Sequence, residues 1–291
     1  MTANHHAHDV LGWTLKQQQS GEACALIVVT DIFGGTLRAK GAMMATTRDA
    51  ACGYISAGCV DSDIITQARA SLADGKRRHL VYGEGSTFKD IVLPCGGSIH
   101  VEIFPNPDST TIQQAVASLS DREETVLTLD DVTVTCTPRL RLRIVGRVEP
   151  MTALASLSKA SGFLVHGQSP DEDLGLNRFF DVFDHLTDPD LPPDAADDPW
   201  TAVVILFHDH SREPFILEQA LAGPAFYIGA MGSLRAHEQR LETLRLRGVT
   251  DVQLERIHAP IGLVPAMRDA QHLAVSILAE VIKTAQDRGR L

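Results

Sequence analysis

Short apolar runs recur through the first half of the chain and predict β-strands separated by a few helices. The longest run, ACALIVVTDI, is almost continuous and ends at the turn Gly34-Gly35. Residues 60–73 repeat apolar side chains with a period near 3.6, which predicts an amphipathic helix. Asp9 is predicted to cap a first helix, and another helix is predicted near residues 110–120. The remaining strand predictions are GAMMATT, GYIS, RRHLVYG, SIHVEIF, ETVLTLD and VTVTC. We interpret residues 1–137 as one mixed α/β domain.

The second half alternates strands and helices more regularly. Strands are predicted at RLRLRIVG, FLVHG, TAVVILF and AFYIG, and helices at 149–162, 212–222, 233–247, 251–257 and 267–287. Thr250 and Gln253 have capping-box spacing, while residues 187–199 form an acidic, proline-broken loop. Such alternation is typical of βαβ units around a parallel sheet. We therefore predict that residues 138–291 form a Rossmann-like domain.

Composition and charge exclude several classes of protein. The 291 residues are 44% hydrophobic and 22% charged, which is ordinary for a globular protein with about two domains. The net charge of −11 argues against sequence-independent nucleic-acid binding, which needs clustered cations. No apolar run approaches the roughly 20 residues of a membrane span, and no signal peptide is visible. The odd number of cysteines, five, is expected for reduced thiols in a cytoplasm.

The turn after the first strand of the second domain tests for a dinucleotide site. Gly146 occupies the first glycine position of a G-x-G-x-x-G motif, but Val148 and Met151 replace the second and third glycines. Glu149 stands where a phosphate would arrive, and the next strand is predicted to end at His166-Gly167 without an acid for a ribose. The turn is therefore still typical of a Rossmann-like fold, but its residues disfavour nicotinamide binding.

The stretch CGYISAGCVDSD, residues 52–63, is the strongest candidate for chemistry in the first domain. A zinc clip is disfavoured because Cys52 and Cys59 are too far apart and no second close pair exists. A redox pair stays open but is not favoured. The third possibility is a Gly58-containing turn that presents Cys59 at a helix start, where thiol pKa values fall. The competing interpretation is that Cys59 is a small buried apolar residue.

LPCGG, residues 93–97, repeats this design around a second cysteine. Cys95 is followed by Gly96 and Gly97, which permit a close backbone approach to a ligand or another chain segment. We expect Cys59 and Cys95 to share one cleft between the two domains, with Cys59 the more reactive and Cys24 inert.

Polar residues and glycines collect where strands of the second domain end. Ligands in open α/β sheets bind at this carboxyl edge, and helix N-termini there can hold anions. The candidate residues are His208 and Asp209 of FHDHS, Gly229, Gly232 and Ser233 of YIGAMGS, and His258 of RIHAPIGL. Capping or core roles are the alternative for each of them.

Taken together, these blocks resemble the XdhC/CoxI family, the xanthine dehydrogenase accessory proteins. The matching blocks are GYISAGCVDSD, LPCGG, VILFHDH, FYIGAMGS, RIHAPIGL and AVSILAEVI, in the family's order from about residue 10 to 285. The resemblance implies an α/β protein that binds molybdopterin-type cofactor as cargo. It implies delivery of the sulfurated form to a xanthine-dehydrogenase-family apoenzyme, with sulfur from a cysteine desulfurase, and a homo-oligomer is expected. Cys59 and Cys95 are candidates for contact with the metal end of the cofactor.

The sequence departs from the family at GRVEP and LVHG, where many members have a fuller glycine-rich turn and a following acid. This departure weakens an inherited nucleotide site and leaves open a divergent paralogue that serves another molybdoenzyme. Two other classes of function compete with the chaperone. They are a nicotinamide-dependent oxidoreductase and a scaffold protein whose cysteines only fill the core.

Overall fold

The chain folds into two compact units, Met1–Pro138 and Arg139–Leu291. The computed structural model describes residues 6–35, 38–56, 58–83, 96–171, 175–188, 195–207 and 211–291. Within this part of the chain, no helix combines the length and apolar character needed to cross a membrane.

The first unit is built around an antiparallel sheet with the strand order β3-β2-β1-β5-β4. Its elements are α1 (Ala7–Gln19), β1 (Ala25–Phe33), β2 (Met43–Thr46), β3 (Ala51–Gly53), α2 (Asp61–Asp74), β4 (Arg78–Gly83), β5 (Ser98–Pro105) and α3 (Ser109–Ser120). A hairpin of β6 (Thr125–Leu129) and β7 (Val132–Cys136) follows.

Both faces of the first sheet are covered, which explains why β1 is apolar at successive positions. Leu26 and Val28 pack in one cluster with residues of α1 and α3. Ala25, Ile27 and Val29 point to the opposite face and pack with residues of α2. Because strand side chains alternate between faces, a strand between two helical layers has no polar side.

The second unit contains a six-stranded parallel sheet with the order β10-β9-β8-β11-β12-β13. Its strands are β8 (Arg141–Gly146), β9 (Leu164–Ser169), β10 (Val182–His185), β11 (Thr201–Leu206), β12 (Tyr227–Ala230) and β13 (Ile257–His258). Its helices are α4 (Val148–Ala160), α5 (Glu213–Ala222), α6 (Leu234–Leu246), α7 (Asp251–Leu254) and α8 (Ala270–Asp287), with a 3₁₀ turn at Leu176–Phe179. This is the 3-2-1-4-5-6 order of a Rossmann fold, whose switch point lies between β8 and β11.

Helices cover both faces of the parallel sheet. Ala202 and Val204 of β11 pack in a cluster with residues of α4 and α8. Val203 and Ile205 point the other way, toward residues of α5, α6 and α7. The prediction of a mixed α/β unit followed by a Rossmann-like parallel sheet is therefore confirmed.

Several local predictions were wrong. The N-cap of α1 is His6, whose imidazole accepts from the His8 backbone N–H, and Asp9 lies in the first turn. GYIS is not a strand, because β3 ends at Gly53. The strand predicted to end at Gly167 continues to Ser169. The helix predicted over 251–257 ends at Leu254, although its Thr250–Gln253 capping box is present.

Candidate functional site

Cys59 is exposed on the loop between β3 and α2, one residue before the N-cap Val60. The carboxylate of Asp61 holds this loop from inside. It accepts backbone N–H bonds from Ile55 and Ser56, both at 2.9 Å, and from Gly58 at 3.1 Å. These three amides therefore already donate to a carboxylate of the protein itself, whereas the Cys59 thiol is exposed.

Ser56 adds a second anchor to the same loop. Its hydroxyl oxygen accepts the backbone N–H groups of Gly58 and Val60, each at 3.1 Å. Gly58 has φ +97°, and a Cβ built there would meet no atom within 4 Å. Glycine is thus required at 58 by the left-handed backbone of the turn and not by crowding.

Asp63, also in the first turn of α2, is used differently. Its carboxylate accepts the hydroxyl of Tyr82 at 2.6 Å, and Tyr82 is fully buried in β4. Burial raises the pKa of Tyr82 well above its usual range, and the neighbouring carboxylate raises it further. Asp63 therefore ties the start of α2 to the sheet, whereas Asp61 shapes the loop.

Cys59 is the exposed cysteine among the four that the structure describes. Burial raises the pKa values of Cys24 and Cys136 to about 11. Cys52 lies in β3, where burial and then Asp9 raise its thiol pKa. Only a thiolate attacks electrophiles or binds metals readily, so these three thiols are unsuited to that chemistry at neutral pH.

The LPCGG block is described only from its glycines onward, because Cys95 lies outside the described residues. Gly96 has φ +68°. A Cβ on Gly97 would come within 2.5 Å of the Phe33 carbonyl oxygen, and a Cβ on Gly83 within 2.0 Å of the Gly97 carbonyl oxygen. The close approach expected at Gly97 is thus made by neighbouring strands of the same sheet.

At the carboxyl edge of the parallel sheet, the described residues of FHDHS are Phe207, which follows β11 and is buried, and Ser211, which is exposed. His208 and Asp209 lie outside the described residues. Ser233 caps α6 by accepting from the Ala236 backbone N–H at 3.2 Å, and Gly232 precedes it with φ +142°. The first turn of α6 is therefore capped from within the chain.

Gly229 lies within β12 and is explained by packing. A Cβ there would come within 2.5 Å of Ile261 Cδ1 and 2.6 Å of the Tyr227 hydroxyl oxygen. His258 ends β13 next to it, with its ring 4.5 Å from the Tyr227 ring between centroids. Glu280 of α8 lies beside both side chains, with the Tyr227 hydroxyl donating to it at 2.6 Å. Sequence reasoning missed Glu280, whose position in an amphipathic helix carries no local signal.

The turn after β8 differs from the sequence interpretation in one respect. Because β9 ends at Ser169, an acid does follow the second strand, at Asp171. Its carboxylate is held by the guanidinium of Arg147, the N-cap residue of α4. Helix α4 begins with Val148 and Glu149 and not with glycines that could cradle a phosphate. The acid that could bind a ribose is Asp171, and its carboxylate is already paired with Arg147.

Metal-binding clusters were sought across the described ranges. No group of three or more His, Cys, Asp or Glu side chains able to hold a metal ion is found among them.

Comparison with known proteins identifies the family. The model of the XdhC and CoxI family matches residues 17–83, and that of the XdhC Rossmann domain matches residues 142–281. A curated relative is 32% identical over 302 residues that cover 97% of this chain. The chain therefore belongs to the XdhC/CoxI family, as its sequence blocks predicted. That relative is the molybdenum cofactor insertion chaperone PaoD of Escherichia coli (strain K12), of which the alignment covers 89%.

Two further matches extend the comparison. The uncharacterized protein YqeB of the same organism is 26% identical over 274 residues, which cover 92% of this chain and 44% of YqeB. A crystal structure of a Bacillus halodurans protein described as a xanthine dehydrogenase matches with a TM-score of 0.77. It is 19% identical, and the match covers 96% of each chain, so it bears on the fold alone.

Proposed function

We propose that this protein binds a molybdopterin-type molybdenum cofactor as cargo and delivers it to a molybdoenzyme of the xanthine dehydrogenase family. The observation that carries the proposal is the near full-length similarity to PaoD, which is named a molybdenum cofactor insertion chaperone. A chaperone binds and releases its cargo without turnover, which agrees with the accessory role expected from the sequence.

The exposed thiol of Cys59 suits the metal end of this cargo. Thiolates are soft ligands that bind transition metals, and the cofactor supplies most of the metal's ligands itself. Because Asp61 already accepts from the backbone N–H groups of Ile55, Ser56 and Gly58, these three amides are not available to the cargo phosphate. We therefore assign Cys59, Gly58, Cys95 and Gly96 to the metal end only.

The carboxyl edge of the parallel sheet is our candidate for the pterin and phosphate. Open α/β sheets bind ligands at this edge. The residues proposed to form this site are His208, Asp209, Gly229, Gly232, Ser233 and His258. Gly229 acts through packing, since its missing side chain leaves room for Ile261 and Tyr227.

The finer proposal concerns the form of the cargo and the partners. We propose that the sulfurated cofactor is delivered, that a cysteine desulfurase supplies the sulfur, and that the protein acts as a homo-oligomer. An exposed thiol can accept sulfur from the persulfide of a desulfurase by thiol–disulfide exchange. Its thiolate attacks the outer sulfur of the persulfide, the S–S bond of the donor breaks, and the donor cysteine leaves as a thiolate.

Reconstitution tests this function. Purified apo-molybdoenzyme is mixed anaerobically with sulfurated cofactor, with or without an excess of this protein, and the recovered activity is followed after exposure to air. The proposal predicts that the protein increases the yield of active enzyme and protects the cofactor, while it shows no turnover alone. Equal yields with and without the protein would contradict it, and Cys59→Ala serves as the matched variant.

A further inference from the structure

The carboxylate of Glu280 collects contacts from segments far apart in the sequence. The Tyr227 hydroxyl donates to Oε2 at 2.6 Å, and the Gly262 backbone N–H donates to the same oxygen at 2.7 Å. The other oxygen, Oε1, lies 3.4 Å from Nδ1 of His258. Three sequence blocks, FYIGAMGS, RIHAPIGL and AVSILAEVI, therefore meet at one carboxylate.

These contacts fix the protonation of the two acidic partners at neutral pH. Burial raises the pKa of Glu280, but hydrogen bonds from His258, Tyr227 and Gly262 outweigh it, so its pKa lies below its usual value. Tyr227 is almost fully buried, and burial together with Glu280 raises its pKa well above its usual range. Glu280 is thus a charged acceptor and Tyr227 a neutral donor.

The orientation of the His258 ring follows from this arrangement. Nδ1 lies 3.4 Å from a charged acceptor, which favours the neutral tautomer that carries the proton on Nδ1. One ring face lies against Tyr227, at 4.5 Å between centroids and 31° between planes. The side chain is still 30% exposed, so part of it is open to other contacts. In this tautomer Nε2 is an acceptor.

We propose that Glu280 is a positioning residue that holds His258 in the Nδ1–H tautomer and presents Nε2 as an acceptor to an N–H donor of the pterin. This inference rests on the proposed function, because it takes the pterin as the ligand of the carboxyl edge. Glu280 itself, behind His258, does not touch the cargo.

The chain offers a control for a purely structural role of α8. Ser276, one turn before Glu280, fastens the same loop by accepting the Val264 backbone N–H at 2.7 Å. Ser276→Ala loosens the loop without a change at the imidazole. Glu280→Gln is the informative variant. The Tyr227 hydroxyl and the Gly262 N–H should still donate to the amide oxygen of Gln, because both donate to one oxygen of Glu280. The amide NH₂ then faces His258 Nδ1. The imidazole should then switch to the Nε2–H tautomer.

The experiment is a long-range ¹H–¹⁵N spectrum of ¹⁵N-histidine-labelled full-length protein, with His258 assigned by its loss in His258→Gln. The expected result is the Nδ1–H tautomer in wild type and in Ser276→Ala, and the Nε2–H tautomer in Glu280→Gln. Anaerobic titration with molybdenum cofactor, followed by pterin fluorescence, should show binding at least about tenfold weaker for Glu280→Gln alone.

The outcomes separate the two proposals. An Nε2–H tautomer in wild type, or the same tautomer in Glu280→Gln as in wild type, would overturn the positioning role. If Glu280→Gln fails to fold, the wild-type tautomer still decides that point. A switched tautomer with unchanged cofactor affinity would overturn presentation to the pterin. Absence of any cofactor binding by wild type would overturn the proposed function and the pterin contact with it, while the tautomer result would stand.

Discussion

At the scale of single residues, the loop around Cys59 joins an exposed thiol to an internal anion. The sequence predicted Cys59 and Gly58 from the glycine-framed turn, but it did not predict that Asp61 shapes the loop. The structure instead shows Asp61 accepting three backbone N–H groups of the loop. This role could not be predicted, because it depends on where the backbone N–H groups of Ile55, Ser56 and Gly58 lie relative to the start of α2.

Alkylation of the native protein should label Cys59 rapidly and leave Cys24 and Cys136 unlabelled, because burial keeps these two thiols protonated. Bound cofactor should protect Cys59 and Cys95 and no other cysteine, as mapped by mass spectrometry. Cys59→Ala should lose cofactor with a stability change within about 1 kcal/mol. An unreactive Cys59, or full cofactor retention by Cys59→Ala, would refute the role of this thiol in cofactor binding.

Asp61→Asn should loosen the loop, because an amide has one acceptor oxygen for three backbone donors. The expected cost is about 1–3 kcal/mol of unfolding free energy, with faster amide exchange at Ile55, Ser56 and Gly58. Asp63→Asn is the matched control, since its amide oxygen can still accept from Tyr82. Urea unfolding and hydrogen exchange measure both variants. Equal exchange at these three amides in the two variants would refute the role given to Asp61.

At the scale of elements, hydrophobic periodicity predicted most of the helices and strands. It missed β10, a four-residue edge strand in which two apolar residues are followed by Asp184 and His185, and β13, which has two residues. It also missed Glu280, because its partners Gly262 and Tyr227 lie 18 and 53 residues away along the chain. The order of the strands and contacts such as those of Glu280 depend on tertiary packing, which no local sequence pattern encodes.

The turn between β8 and α4 should bind NADH or NADPH no tighter than about 1 mM, a free energy near −4 kcal/mol. Val148 occupies the place of a cradle glycine, and Arg147 holds Asp171 where a ribose would bind. Arg147→Ala frees Asp171 but leaves Val148, so it should not create a site. Calorimetric titration measures both proteins, and micromolar binding by either would mean that the obstructing role of Val148 is wrong.

Glu280 should make an acid-sensitive contribution to stability. Its pKa is lowered in the folded state, so the contribution is complete above its unfolded pKa of about 4.3 and is lost as the pH falls through the folded value. His258 of β13 and Tyr227 of β12 are the titratable groups facing it. The difference in unfolding free energy between wild type and Glu280→Gln should therefore shrink below about pH 4. A difference that grows with acidity would contradict this assignment.

At the scale of the whole molecule, the two units divide the proposed work. The antiparallel unit presents an exposed thiol on a hydrogen-bonded loop, and the parallel unit brings three distant sequence blocks to the carboxylate of Glu280. Family membership follows from near full-length similarity, whereas the contacts of Cys95, His208 and Asp209 stay predictions from the sequence.

The central claim is that the protein carries molybdenum cofactor. The most direct measurement is anaerobic purification of the full chain from cells that synthesise the cofactor, with molybdenum analysis and pterin fluorescence on the same sample. We predict close to one molybdenum and one pterin per chain in wild type, and loss of both in Cys59→Ala. A well-folded wild-type protein that carries neither, and that takes up neither on incubation with purified cofactor, would contradict the account.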